Sequence, residues 1–230
     1  MHVWRAALNL AEAQVAALGA CLNAEEQARA GRLRFEDKRR AFVVGRGRLR
    51  AILGRYLSLS PQHIQFTYNA QGKPEIAASQ ANGLQFNLAH SGDLALVAVA
   101  LARPVGIDLE QLRPVEALDQ IVGSYFGPGE RAVFQRLPPE QRQPAFFAGW
   151  TRKEAYLKAR GEGLTLPLDQ VEVTLAPGEA PRLLADATCP PGTGLTWVLL
   201  DLEAAPGYTA ALAVPGPPGE LFTWQWPAAG

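Results

Sequence analysis

Hydrophobic residues in the first part of the chain recur at the spacing of an α-helix, after a short apolar stretch that predicts an opening strand. Residues 23–31 are predicted to be helical, with Asn23 as the N-cap and Glu26 three residues later, the arrangement of a capping box. From Asp37 to Leu57 apolar residues recur every three or four positions, which predicts a longer helix in spite of two internal glycines.

The middle of the chain has the alternating and apolar runs of β-strands. We predict strands at His63–Tyr68, Leu84–Leu88, Leu94–Leu101 and Val105–Glu110. The segments Asn69–Pro74 and His90–Asp93 lie between them and contain the glycine and proline residues typical of turns.

The second half is predicted to begin with helices at residues 115–125, 129–137 and 144–160. From Val171 short strands alternate with turns, and the proline-rich tail after Pro215 is predicted to be an irregular arm. The hairpin at Leu84–Leu101 resembles a second one at Thr196–Val214. This faint repeat predicts two related α+β halves that meet near residue 103, with a ligand site at their interface.

Charge is balanced overall but unevenly placed. The chain has 230 residues, enough for one large domain or two small ones, and 22 Lys+Arg against 22 Asp+Glu, so net charge gives no argument for binding nucleic acid or a membrane. Residues 29–55 nevertheless carry ten Lys or Arg residues against Glu36 and Asp37. This local excess favours a small anionic ligand, and the alternative is a solvated helix face.

The two cysteines, Cys21 and Cys189, are far apart and have no metal-binding spacing, so no disulfide framework is predicted. The sequence starts without a long apolar signal region, and no apolar run has the length of a membrane span. These features predict a cytoplasmic location.

Two short segments carry most of the chemistry. Asp108 and Glu110 are two residues apart in a predicted strand, so they share one face, while Leu109 between them faces the core. Glu154 and Lys158 are four apart in a predicted helix and therefore share a face as well. The alternatives are strand-end carboxylates in solvent and an ordinary exposed helical ion pair.

If both segments meet, three carboxylates and one ammonium group share a small volume. Carboxylates repel one another unless a cation lies among them, and oxygen ligands without His or Cys suit Mg²⁺, with Mn²⁺ also possible. Gly106, just before the carboxylates, lets another backbone or a ligand approach closely. A lysine at such a site suits a phosphate.

Two more residues are candidates for binding phosphate. His90 ends a strand beside Gly92, where backbone N–H groups and an imidazole could meet a phosphate, and Lys73 lies in a rigid turn. The alternatives are an exposed histidine and an ordinary turn lysine. The sequence contains no P-loop and no dinucleotide-binding fingerprint.

These motifs, in this order, resemble those of the Sfp-type 4′-phosphopantetheinyl transferases. They are Gly72–Pro74, Phe86–Gly92, Val105–Glu110, and Trp150–Lys158 followed by Gly161–Leu164. The resemblance covers roughly residues 25–215. It implies an α+β fold of two similar α/β halves in a pseudo-twofold arrangement, with the active site at their interface. Residues 1–103 would contact coenzyme A phosphates and adenine, and residues 104–230 would carry the metal ligands and the catalytic helix.

The resemblance also implies an activity and its residues. The enzyme would move the phosphopantetheine arm of coenzyme A to a serine of an apo acyl, polyketide or peptidyl carrier protein, releasing adenosine 3′,5′-bisphosphate. The implied metal ligands and catalytic residues are Asp108, Glu110 and Glu154, joined in catalysis by Lys158. The implied coenzyme A contacts are Lys73, Asn87, His90, Ser91, Lys158 and, among the basic residues at 29–50, Arg40. An arginine frequent in the family is replaced by Ala41, next to Arg40.

Further implications concern the proton and the partner. Glu154 or a metal-bound water would accept the serine proton, and both remain open. The enzyme would be a monomer, and the segment Gln111–Phe126 would help to dock the carrier, with Arg113 at a basic rim. Its apolar residues are Val115, Leu118, Ile121, Val122, Tyr125 and Phe126. The alternative for each of them is a place in the core of a helix.

Two rival functions use the same residues. One is a non-enzymatic module that binds a carrier protein or a nucleotide without transfer. The other is a Mg²⁺-dependent nucleotide pyrophosphohydrolase that uses the carboxylates with water. The presence of all the expected metal ligands and Lys158 counts against the first, and the lack of clustered Glu and Asp on helices counts against the second.

Overall fold

The computed structural model describes residues 1–161, 166–189 and 196–227. Its strands, in chain order, are β1 His2–Ala7, β2 Phe66–Tyr68, β3 Pro74–Ile76, β4 Leu84–Ser91, β5 Leu94–Leu101, β6 Gly106–Gln111, β7 Val171–Val173, β8 Leu183–Asp186, β9 Trp197–Asp201, β10 Tyr208–Pro215 and β11 Phe222–Gln225. Its helices are α1 Glu12–Gly19, α2 Ala24–Gly31, α3 Glu36–Leu57, α4 Ala78–Ala81, α5 Leu118–Tyr125, α6 Pro128–Arg136 and α7 Pro139–Arg160. The predicted α+β class is confirmed.

Two main sheets organise these elements. The first has the strand order β11-β1-β5-β4, and the second has the order β6-β10-β9. The pairs β4–β5 and β9–β10 are antiparallel, as the two predicted hairpins require. A 22-residue helix packs on each sheet, α3 on the first and α7 on the second. No helix in the described ranges is long and apolar enough to cross a membrane.

The main hydrophobic core lies between the two sheets. Leu96 of β5, Leu109 of β6 and Leu212 of β10 are among its buried members. The position of Leu109 confirms that this residue faces the core. Because alternate residues of a strand point to opposite faces, Asp108 and Glu110 are directed away from this core.

The helix α7 lies against β6 at Gly106. A Cβ atom at this position would lie 2.0 Å from the carbonyl oxygen of Ala155 and 2.3 Å from the amide nitrogen of Ala159. Both distances are too short for any side chain, so only glycine lets the helix backbone come this close. The close approach predicted at Gly106 is therefore confirmed, and the approaching element is the helix that carries Glu154 and Lys158.

The elements around the first sheet include both confirmed and wrong predictions. The capping box is present: Asn23 Oδ1 accepts a hydrogen bond from the amide of Glu26 at 2.9 Å, and Glu26 Oε2 accepts one from the amide of Asn23 at 3.0 Å. The prediction of a strand over His63–Tyr68 is wrong at its start, because Pro61 opens a 3₁₀ turn over Pro61–His63 and the strand begins only at Phe66.

The tail is not an irregular arm throughout. Residues Phe222–Gln225 form β11, which pairs in parallel with β1 at the edge of the first sheet. The Trp224 ring stacks on Trp4 with centroids 5.9 Å apart. The prediction for this part of the tail is therefore wrong. Local proline and glycine content does not show that this segment pairs with a distant strand at the edge of the sheet.

One helix prediction is wrong at its start, and one helix has no prediction. The helix predicted at residues 144–160 begins earlier, at Pro139, because proline fits the first turn, and it continues through Pro144. The sequence pattern does not predict helix α1.

The loop residues Glu162, Gly163 and Leu164 of the last sequence motif lie outside the described residues.

Replacing Gly106 by alanine tests the close packing of α7 on β6. We expect Gly106→Ala to lower the free energy of unfolding by about 3 kcal/mol, because backbone atoms of a long helix must move to admit the methyl group. Gly123→Ala in α5 is the matched control, since no atom lies within 4 Å of its Cβ position. Urea unfolding of both variants measures the difference, and equal stability would contradict this packing.

Candidate active site

The site lies where the edge strands of the two sheets meet. The Asn87 side chain of β4 accepts a hydrogen bond through Oδ1 from the amide of Ile107 at 2.9 Å. Ser91 Oγ accepts one from the amide of Gln111 at 3.1 Å. Both bridges join residues 20 apart in sequence, so β4 and β6 run in the same direction. We call this junction, defined by Asn87, Ser91, Ile107 and Gln111, the β4–β6 seam.

The three predicted carboxylates are near one another at this seam. Asp108 is only 5% exposed. Its pKa is raised to about 6, chiefly by burial and also by the negative charges of Glu154 and Glu110, against the lowering effect of Lys158. Burial also raises the pKa of Glu154, again with Glu110 contributing. The structure thus brings the strand and the helix together as the two motifs required.

Lys158 neutralises part of this cluster. Its Nζ donates to Asp108 Oδ1 at 2.5 Å. Asp108 Oδ2 and Glu154 Oε1 are buried and have no hydrogen-bond partner among the described residues. Glu110 Oε2 accepts from Ser91 Oγ at 3.0 Å. In this arrangement the described ranges contain no group of three His, Cys, Asp or Glu side chains placed to hold a metal ion.

A cleft of about 780 Å³ opens beside the seam. Its walls include His90 and Ser91 from β4, and the basic residues Arg29, Lys38, Arg40 and Arg113. The His90 pKa is lowered by burial and by the positive charges of Lys158 and Lys38. The lowered pKa favours the neutral imidazole. The four basic side chains of the cleft outnumber its two carboxylates, Asp37 and Asp93. A cleft of about 850 Å³ elsewhere contains none of the predicted site residues.

Six residues of the basic segment form two groups. Arg29, Lys38 and Arg40 reach the cleft, although Arg40 also forms an ion pair with Glu12 and donates to the Leu10 carbonyl. Arg46, Arg48 and Arg50 are instead buried in the protein. Arg50 Nε donates to Glu26 Oε2 at 2.7 Å. The solvated-face alternative is therefore wrong for these three buried residues.

The predicted turn around Lys73 contacts the carboxyl end of α7. Lys73 Nζ donates to the carbonyl of Lys158 at 2.6 Å, and Asn69 Nδ2 donates to the carbonyl of Gly161 at 2.9 Å. Burial lowers the pKa of Lys73. The turn thus satisfies carbonyls that a helix end leaves without partners, and it fixes the end of α7 next to Lys158.

Some residues that shape the site had no sequence signal. The turn after β4 lies against β6 and β10, where a Cβ on Gly92 would be 2.6 Å from Gln111 Oε1 and 2.7 Å from the Tyr208 hydroxyl. The amide of Asp93 donates to that hydroxyl at 3.3 Å. Tyr208 is 115 residues away from Asp93 in sequence, so no local pattern could have paired them.

Comparisons with known proteins agree with these observations. A model of the 4′-phosphopantetheinyl transferase superfamily matches residues 104–213, and one of 4′-phosphopantetheinyl transferase N-terminal regions matches residues 7–102. The chain is 43% identical to the 4′-phosphopantetheinyl transferase HetI of Nostoc sp., over 98% of this chain and 90% of that protein. It is 31% identical to a 4′-phosphopantetheinyl transferase of Bacillus subtilis, over 68% of this chain and 67% of that protein.

Among solved structures, a holo-(acyl-carrier-protein) synthase from Bacillus anthracis, in complex with CoA (3′,5′-ADP), matches with 27% identity and a TM-score of 0.39. The match covers 49% of this chain and 94% of that one. With a relative 43% identical over nearly the whole chain, and with two family models that together span most of it, the chain belongs to the 4′-phosphopantetheinyl transferases, the enzymes that transfer phosphopantetheine from coenzyme A to carrier proteins.

Proposed function

We propose that this enzyme transfers phosphopantetheine to a serine of an apo acyl or peptidyl carrier protein with Mg²⁺, and releases adenosine 3′,5′-bisphosphate. The observation that carries the proposal is the arrangement at the seam. Lys158 is paired with the buried Asp108, two carboxylate oxygens nearby have no described hydrogen-bond partner, and a basic cleft containing His90 opens beside them.

The carboxylates fit a hard divalent cation. Buried carboxylate oxygens without partners are unfavourable unless a cation or a proton satisfies them. In the described arrangement the three side chains do not converge on one point. After rotation of these side chains, Asp108, Glu110 and Glu154 would hold Mg²⁺, or Mn²⁺, which prefers the same oxygen ligands. When bound, the ion would neutralise charge on the pyrophosphate of coenzyme A.

Positive groups of the chain and the neutral imidazole of His90 would hold the phosphates. The cleft is lined by His90 and by Arg29, Lys38, Arg40 and Arg113. Lys73 and Lys158 lie at the end of α7, where Lys158 would move its ammonium group from Asp108 toward the leaving phosphate. There the ammonium group would stabilise the negative charge that develops on the leaving phosphate.

The transfer itself exchanges two phosphorus–oxygen bonds. The carrier serine oxygen attacks the phosphorus that bears pantetheine, and the bond to the second phosphate breaks, leaving the electron pair on adenosine 3′,5′-bisphosphate. Glu154 or a water would take the serine proton. Because burial raises its pKa, Glu154 is a stronger base than an exposed glutamate.

The carrier would dock beside the cleft on part of the segment Gln111–Phe126. In this segment Leu112 is 40% and Tyr125 is 45% exposed. Val122 and Phe126 are buried in the core with Val115, Leu118 and Ile121 packed around them, so the core alternative holds for those residues. Arg113 at the cleft would face the acidic carrier. A monomer and a cytoplasmic location remain predictions.

Intact-mass analysis of an apo carrier protein tests the proposed transfer. With coenzyme A and Mg²⁺ we expect a gain of one phosphopantetheine, and we expect Lys158→Ala and Glu154→Gln to lower kcat at least 100-fold, about 2.7 kcal/mol of transition-state stabilisation. Glu140→Gln, in the first turn of the same helix, is the control that should keep full activity.

Three outcomes would count against this proposal. Release of adenosine 3′,5′-bisphosphate without modified carrier would indicate hydrolysis. Binding of coenzyme A without any turnover on several carrier classes would indicate a binding module. Full activity after exhaustive chelation of divalent ions would remove the metal from the proposal.

The raised pKa of Asp108 predicts a pH dependence of metal affinity. The metal binds the ionised carboxylate, and the pKa in the free protein is about 6. Affinity for Mn²⁺ should therefore rise close to tenfold per pH unit below pH 6 and level off above pH 7. Titration with Mn²⁺ at each pH, followed by electron paramagnetic resonance, measures this affinity. Asp108→Asn should remove this rise, and a flat profile in the unsubstituted enzyme would contradict the assignment.

A further inference from the structure

The β4–β6 seam joins two sheets without a ladder of main-chain pairs. The first sheet ends at β4 and the second ends at β6. Across the gap, Asn87 and Ser91 supply side-chain acceptors to the amides of Ile107 and Gln111. At these two places side-chain oxygens accept the hydrogen bonds that main-chain carbonyl groups accept inside a sheet.

We propose that Asn87 is a positioning residue, which fixes the backbone of β6 so that Asp108 faces Lys158 and Glu154. This inference deepens the proposed function and rests on the assignment of Asp108 as a metal ligand. It also gives Asn87 a role other than the coenzyme A contact that the family resemblance implied.

The surroundings of Asn87 support this role. Its side chain is 7% exposed, and Ile107 is completely buried. The Ile107 amide therefore has no access to water, and a buried amide without an acceptor is costly enough to displace the strand. Oδ1 of Asn87 is the acceptor that this amide finds, at 2.9 Å.

Asp108 depends on its backbone for orientation. It directly follows Ile107. One of its two oxygens has no partner among the described residues, and the other accepts from the ammonium group of Lys158. Gly106, the residue before Ile107, packs against the backbone of α7. Helix contact on one side and the Asn87 hydrogen bond on the other therefore hold the strand at the two residues just before the carboxylate.

The two roles of Asn87 make different kinetic predictions. A residue that contacts coenzyme A contributes to binding, so its loss raises the KM for coenzyme A. A residue that orients Asp108 acts on metal binding and on the transition state, so its loss lowers kcat while the KM for coenzyme A changes little. Only if Asn87 has the second role does its loss also free the Ile107 amide from its hydrogen bond.

The test compares Asn87→Leu and Asn87→Asp with the control Gln85→Leu. Leucine fills a similar volume without an acceptor, and aspartate keeps an oxygen at the position of Oδ1. Gln85 lies on the same strand, two residues earlier, and is exposed. Measurements are hydrogen exchange of the Ile107 amide by NMR, Mn²⁺ affinity, and the kcat and KM of carrier modification.

For Asn87→Leu we expect exchange at Ile107 at least tenfold faster, Mn²⁺ affinity at least fivefold weaker and kcat at least tenfold lower, with the KM for coenzyme A within threefold. Asn87→Asp should keep slow exchange at Ile107, and Gln85→Leu should match the unsubstituted enzyme. If Asn87→Leu does not fold, Asn87→Ala, whose side chain has no hydrogen-bond acceptor, replaces it with the same expectations.

Two results would overturn the inference. One is unchanged exchange at Ile107 in a folded variant that lacks the acceptor, and the other is a raised KM for coenzyme A with kcat and Mn²⁺ affinity unchanged. Failure of the proposed function looks different: the unsubstituted enzyme would then bind no Mn²⁺ at the carboxylates or transfer nothing to a carrier, whatever the exchange rate of the Ile107 amide.

Discussion

At Gly106 the backbone of α7 lies against β6 with no side chain between them, and the chemistry of the site depends on this contact. A Cβ there would overlap Ala155 and Ala159 of the helix. The same stretch of helix carries Glu154 and Lys158, and the same stretch of strand carries Asp108 and Glu110. A wider separation would place the ammonium group beyond reach of the Asp108 carboxylate, which it now meets at 2.5 Å.

This contact brings buried carboxylates together, and the repulsion between their negative charges suits a site of phosphoryl transfer. Burial and like charges raise the pKa of Asp108 to about 6, and one lysine compensates only in part. Such a cluster is not arranged for stability, since carboxylate oxygens remain buried without described partners. In the proposed function a divalent cation would relieve this repulsion and would leave Lys158 able to meet a phosphate. Buried groups with shifted pKa values at a cleft are typical of functional sites.

Much of the site could be predicted because its geometry is local. Residues two apart in a strand or four apart in a helix share a face, so Asp108 with Glu110, and Glu154 with Lys158, follow from spacing. Gly106 predicted a close approach, but the sequence did not show that the approaching element is α7. Three kinds of feature could not be predicted from the sequence. They are the edge pairing of β11 with β1, the burial of Arg46, Arg48 and Arg50, and the side-chain bridges of the seam. Each depends on residues distant in sequence, and local patterns contain no information about them.

In the proposed function β6 and α7 together form one metal site at the seam. A crystal structure of the enzyme with coenzyme A and Mn²⁺, with anomalous data that locate the manganese, would show whether they do. We expect one manganese in contact with carboxylate oxygens of both Asp108 and Glu154, and Lys158 turned toward the pyrophosphate. Manganese bound only to coenzyme A, or bound with the carboxylate of one element alone, would show that the two elements do not form one site.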